Sequence, residues 1–230
     1  MNPISTRIGR PVMALMILFG LSACASVDTG GDAAAFDAAS RAAPVDSVIA
    51  PTSADPAAVP SNFRVVEVNV EVPETLRVSE ANRYLPGGDI VWREDPIGNR
   101  YEQVATIVKA GLTQGVAELN GSQPVVLDVV VSKFHALTEK ARYTVGGVHA
   151  IQFTMRLRDA DTGAVIGAPK FIKADFDALG GQAAIQAEQK GITQKVRITN
   201  HLAFVIEQEL GSTQGYAERD TGLIGALNQL

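Results

Sequence analysis

A strict alternation runs through the stretch from Phe63 to Val72. Val66, Val68, Val70 and Val72 take every second position, and Glu67, Asn69 and Glu71 fill the places between. Successive side chains of an extended chain point to opposite faces, so this spacing predicts a strand with one dry face and one wet face. Pro73, which cannot donate to a ladder, ends it. Such a strand must join a sheet whose valine face is covered by a second layer and whose other face meets water. The pattern returns twice. Leu127, Val129 and Val131 face inward from Val125–Phe134, with Asp128 and Ser132 outward. Ile151, Phe153, Met155 and Leu157 oppose Gln152, Thr154, Arg156 and Arg158 within Val148–Arg158. Asp159–Gly163 predicts a hairpin turn, and a fourth strand follows from Val165 to about Phe176, where Pro169 indicates an edge position or a bulge.

Two stretches change period from two to three and four. Tyr101, Val104, Ile107, Val108, Leu112, Val116 and Leu119 predict a helix with one apolar face. Asp95-Pro96 reads as its start and Asn99 as a rival cap, while Asn120-Gly121 supplies a left-handed stop. Gly111 and Gly115 weaken this helix but, four apart, permit close packing on a sheet. A second long helix is expected from Gly181 to Leu210, kinked at Gly191 and stopped at Gly211. Asp89–Trp92 reads as a short strand or bridge between Pro86-Gly87-Gly88 and the first helix. The order β-α-β-β-β-α predicts an α+β two-layer sandwich: a mixed four-stranded sheet, its first two strands parallel through a right-handed crossover, with both helices on the valine-rich face.

The N-terminal region sets a different constraint. Arg7 and Arg10 precede an apolar run, residues 12–19, too short for a helix across a hydrocarbon core of roughly 30 Å. Leu21-Ser22-Ala23-Cys24 follows and holds the single cysteine of the chain. This resembles the lipobox of bacterial lipoproteins, position by position. The resemblance implies a signal peptide over residues 1–23, cleavage before Cys24, and a diacylglyceryl group on its thiol, with a third chain on its amine. A lone cysteine has no internal disulfide to make, so the core must stabilise the fold unaided. Residues 24–60, rich in Ala and Pro with few large apolar residues, Phe36, Val48 and Ile49 among them, read as a flexible linker. Residues 61–211 are then the periplasmic domain, and 212–230 a polar tail ending in the apolar segment Leu223–Leu230. Ala25, rather than aspartate after the cysteine, favours the outer over the inner membrane.

Composition excludes more than it selects. Formal charge is −5, and loss of Arg7 and Arg10 with the signal leaves −7, with no basic tract for nucleic acid. His135, His149 and His201 have no metal-ligand spacing, and no Gly-x-Ser-x-Gly elbow is present. The Gly-Gly pairs lie in turns and linkers, so no cofactor is expected. Glu94-Asp95 beside Trp92 and Arg93 are candidates for a carbohydrate cleft, or more simply a helix cap beside an anchoring tryptophan. Lys133, Arg142, Arg156 and Arg158, with His135 and Lys140 near them, are candidates for a rim that receives lipid phosphates, against the plainer reading of solvated charge. The layout resembles the auxiliary lipoproteins of ABC-type transport systems, including the lipopolysaccharide-assembly lipoprotein. Asp89-Ile-Val-Trp-Arg-Glu-Asp-Pro96 before a long helix also resembles an uncharacterised proteobacterial lipoprotein family. Together these imply a non-enzymatic accessory factor in lipid or envelope transport, held to a membrane by its N-terminal lipid and working by binding an envelope protein. The alternatives are a module that binds peptidoglycan or glycan through its wet sheet face, and a hydrolase without a familiar motif.

Overall fold

The computed structural model describes Asn62–Arg219. The signal peptide, Cys24 and the linker expected before it, and the terminal segment Leu223–Leu230, lie outside the described residues. The elements are β1 (Phe63–Glu71), β2 (Ile90–Val91), α1 (Arg100–Val116), β3 (Gln123–His135), α2 (Glu139–Arg142), β4 (Gly147–Asp159), β5 (Val165–Lys173), β6 (Phe176–Ala178), α3 (Gly181–Gln189) and α4 (Gln194–Gly211). The long strands lie in the order β1-β3-β4-β5; β2 adds to β3 and β6 to β4. β1 and β3 are parallel across the α1 crossover, and β3, β4 and β5 form an antiparallel meander. The sheet is open and mixed. The four long strands expected are present and Ile90–Val91 forms the expected short one; the structure adds β6 and α2 and divides the second long helix into α3 and α4.

Regular alternation fails at one informative place. Val65 pairs with Val125 and Glu67 with Val126, so Val66 is the extra residue of a β-bulge. A bulge moves the following side chains to the other face. Phe63 and Val65 therefore pack on the core from before it and Val70 and Val72 from after it, while Val66 is exposed. The expectation that Val66 shares the inner face with Val68 is corrected on that ground. A second shift at Val131/Lys133 keeps Phe134 in the core. β5 is the edge strand that Pro169 indicated; the register jumps from Met155↔Lys170 to Leu157↔Ile166, and Gly167 takes φ +69° there.

The helices differ from expectation at their ends. Asn99, not Asp95, caps α1: its side chain accepts from the N–H groups of Tyr101 and Glu102. Gly121 is no left-handed stop; it packs against the backbone of Asn62 and Phe63, where a side chain has no room. Gly111 and Gly115 face α4 rather than the sheet. A Cβ on Gly111 would lie 2.8 Å from Leu202 Cβ, and one on Gly115 would fall inside the Ala203 carbonyl. The expected single C-terminal helix is two helices. Gly191, at φ +76°, ends the first, with the Gly191 and Ile192 N–H groups donating back to Glu188 and Ala187. Thr193 then caps α4 through the Val196 N–H. α1 and α4 cover the inner face over Leu127, Val129, Ile151 and Phe153, all buried, with Leu112, Ile198, Leu202 and Ile206 opposite.

Candidate functional site

The C-terminal ends of β1 and β3 and the N-termini of α1 and α4 meet at one end of the sheet, and the segment 90–99 organises it. β2 runs parallel to the last residues of β3, Ile90 opposite Phe134 and Val91 opposite His135. This carries Trp92 into the core, edge-on to Phe134 with ring centroids 5.9 Å apart. The indole N–H, which needs a partner once buried, donates to Asp95 Oδ2 at 2.8 Å. With Trp92 fixed, the charged residues after it fan out towards four different elements.

Arg93 reaches Glu139 of α2 at 2.6 Å and Glu80 at 3.3 Å. Glu94 accepts from Arg142 at 3.0 Å and from the Lys195 N–H at 3.3 Å. Asp95 pairs with the Lys195 ammonium. Arg100, buried at the start of α1, donates to Glu80 at 2.6 and 3.1 Å and to the carbonyls of Asp95 and Pro96. Arg142, also buried, takes a second carboxylate, Glu188 of α3, at 3.2 Å. Burial works to raise the Asp95 carboxyl, but the hydrogen bonds from Lys195 and Trp92 outweigh it and hold it below the ordinary range. Glu139 is held low in the same way, burial opposing and Arg93 prevailing. Each carboxylate of the network faces a cation. The arrangement fastens α1, α2, α3 and α4 to the end of the sheet.

A second polar group lies behind it. His149 of β4 is fully buried, and neither ring nitrogen has a hydrogen-bond partner. Burial, with Arg197, His201 and Arg142 nearby, pushes its pKa down to about 3. The ring packs on Phe176 at 4.9 Å, which stacks on His201 at 4.1 Å. Burial lowers His201 to about 4. Both imidazoles are neutral members of an aromatic column. His149 lies inside the fold with both ring nitrogens unsatisfied. His135 does find a partner, its Nε2 lying 2.8 Å from the Gly88 carbonyl oxygen.

The four cations proposed as a phosphate-receiving rim are distributed as follows. Arg156 and Arg158 stand together on the open sheet face, sharing Asp128 at 3.4 and 2.5 Å. Hydrogen bonds from Arg158 hold that carboxyl at about 2. Lys133 sits beyond the β3 bulge, opposite Gln152. Arg142 belongs to the buried network with Glu94 and Glu188. The sequence placed Glu94 and Asp95 beside Trp92 but did not show that Glu80, Arg100, Glu139, Glu188 and Lys195 join the same network. The visible signal was a run of charges directly after a strand buried on both sides; the partners lie up to 101 residues away. Among the described residues no group of three or more His, Cys, Asp and Glu side chains is placed to hold a metal ion.

Solved structures match this chain at low similarity. A Xanthomonas campestris protein of family DUF330 shares 10% identity over 68% of this chain and 86% of its own, with a TM-score of 0.42. A candidate lipoprotein from Caulobacter crescentus CB15 shares 21% over 46% of this chain and 80% of its own, at 0.26. PelC from Paraburkholderia phytofirmans, solved as a dodecamer, shares 14% over 62% and 90%, at 0.25. Comparison with curated proteins gave no match. A family described only as of unknown function, DUF6778, matches residues 63–226, which takes in the whole sheet, the charged network and both long helices. The chain belongs to that family.

Proposed function

We propose that this is a lipid-anchored protein of the bacterial envelope that works by binding, as an accessory factor in the transport or assembly of lipids or other envelope components. The observation that carries the reading is Leu21-Ser22-Ala23-Cys24 after a basic and apolar leader. Two or three acyl chains at about 0.8 kcal/mol per buried methylene make an effectively permanent anchor. Among the described residues no helix is long and apolar enough to cross a membrane. The acids and bases around Trp92 support binding over catalysis. A general acid or base needs a pKa near the working pH and a free line to substrate, whereas Asp95 and Glu139 are held low by the cations that fasten the fold. The partner is an envelope protein, and Ala25 after the cysteine favours the outer membrane.

Growth with a clickable palmitate analogue tests the anchor. The wild-type chain takes the label and fractionates with outer membranes, and Cys24→Ala does neither. Mass spectrometry that finds Cys24 unmodified, or still joined to Ala23, overturns the reading. Crosslinking in intact cells tests the role: a specific envelope protein should be recovered with the wild type and lost with Cys24→Ala. Sedimentation of the domain with purified cell wall instead would move the role to wall binding.

A further inference from the structure

The end of the sheet that carries the charged network also exposes apolar surface. Tyr84 and Leu85 project from the loop before β2, 48% and 60% exposed, and Tyr143 and Val145 from the loop after α2, 42% and 75% exposed. The Tyr143 hydroxyl is tied to the network, accepting from Arg142 at 3.0 Å and donating to Glu188 at 3.1 Å. The loop before β2 is held to α2. Thr138 Oγ1 donates to the Arg83 carbonyl at 2.8 Å, and the Lys140 N–H to Asn82 Oδ1 at 2.9 Å. The Lys140 ammonium lies 4.7 Å from the centre of the Tyr84 ring. Arg83 and Lys140 have no carboxylate within ion-pair distance among the described residues. The neighbouring acids Glu80, Glu94, Glu139 and Glu188 are all bound to other cations.

We propose that Tyr84, Leu85, Tyr143 and Val145, flanked by Arg83 and Lys140, form a face that docks on a bilayer with anionic headgroups. The chemistry matches a membrane interface. Tyrosine settles at headgroup depth, aliphatic tips reach the acyl boundary, and Lys and Arg keep their charge on the phosphates. All four side chains are exposed, and a fluid lipid surface accepts projecting tips without a preformed groove. The proposal leans on the Cys24 reading for one point, that a bilayer is in reach. Asn62 lies at the opposite end of the sheet, beside Ser122. The 37 residues between it and Cys24 allow at most about 130 Å, ample for the loop end to turn to the anchoring membrane.

The test uses the chain from residue 24 onward with Cys24→Ala, so that no acyl group contributes. It is sedimented with vesicles of phosphatidylglycerol and phosphatidylethanolamine in equal parts, and with phosphatidylcholine alone. Binding is expected on the anionic vesicles only, weakening severalfold as salt screens it. Leu85→Asp with Val145→Asp should weaken it about tenfold or more, and Arg83→Gln with Lys140→Gln should abolish its salt dependence. Phe171→Asp, on the open sheet face, should leave it unchanged. These positions are exposed, and thermal unfolding reports whether each variant is folded. Leu85→Trp supplies a second measurement: its emission should be quenched by brominated lipid. Absence of binding to anionic vesicles, equal binding by the Leu85→Asp, Val145→Asp variant, or no quenching overturns the proposal and returns the tips to a protein partner. Failure of acylation at Cys24 shows only in the palmitate labelling, so the two readings fail separately.

Discussion

His149 contributes to the energetics of this protein through the company it lacks. A neutral imidazole buried without a partner resists protonation, and the unfolded chain does not. Its pKa is near 6.5 in the unfolded chain and about 3 when folded. Stability is therefore complete above pH 6.5, and is lost as pH falls through that interval, because the unfolded state takes the proton first. The expected loss from this group is about 2 kcal/mol at pH 5. His149→Phe should leave stability at pH 7 unchanged or slightly raised and should flatten its decline towards pH 5. His201, lowered to about 4, keeps part of the slope. Urea unfolding of both proteins at pH 7 and pH 5 checks this, and equal pH slopes would count against it. Arg142 is the opposite case, a buried charge with two carboxylates on it. Arg142→Met strands Glu94 and Glu188, and a cost of about 3 kcal/mol is expected, measurable in the same titration at pH 7.

Among the elements, the seam between α1 and α4 decides how the covering layer sits. The gaps left by Gly111 and Gly115 are filled by the Thr199, Leu202, Ala203 and Ile206 region, so the two helices approach at backbone distance and run the same way. Helix propensity favours alanine over glycine by about 1 kcal/mol, and on the sequence alone Gly115→Ala would look stabilising. The seam reverses that sign. A methyl group inside the Ala203 carbonyl must push the helices apart, and overpacking of this kind costs about 1–3 kcal/mol. Gly115→Ala should lower the unfolding midpoint, with Gly111→Ala milder because its nearest neighbours lie at 2.8 Å. A raised midpoint for Gly115→Ala would mean that α4 does not lie where it is placed. The strands were legible from their alternation because one face is dry and one wet along most of their length. The exception, Val66, has the right composition for the inner face and the wrong place, since a bulge is set by pairing with β3 and leaves no mark on β1's own residues. The break at Gly191 was visible as a glycine; that it separates two helices depends on its left-handed backbone.

For the whole molecule, one residue reports the integrity of the core. Trp92 is the only tryptophan, is fully buried, and sits where the sheet end, α1 and α4 join. A domain that unfolds as one unit should lose tryptophan burial and far-ultraviolet circular dichroism at a single urea concentration. An earlier fluorescence transition would show the charged end opening before the sheet. The division of information is plain at this scale. The sequence by itself determined the elements, the two-layer arrangement and the cysteine motif, because periodicity, proline, glycine and a run of adjacent residues are local properties. Only the tertiary structure decided which charges meet. Glu80 with Arg100, Glu94 with Arg142 and Asp95 with Lys195 are joined by the crossing of distant segments. A charge carries no mark of its partner along the chain; distance in space alone selects it.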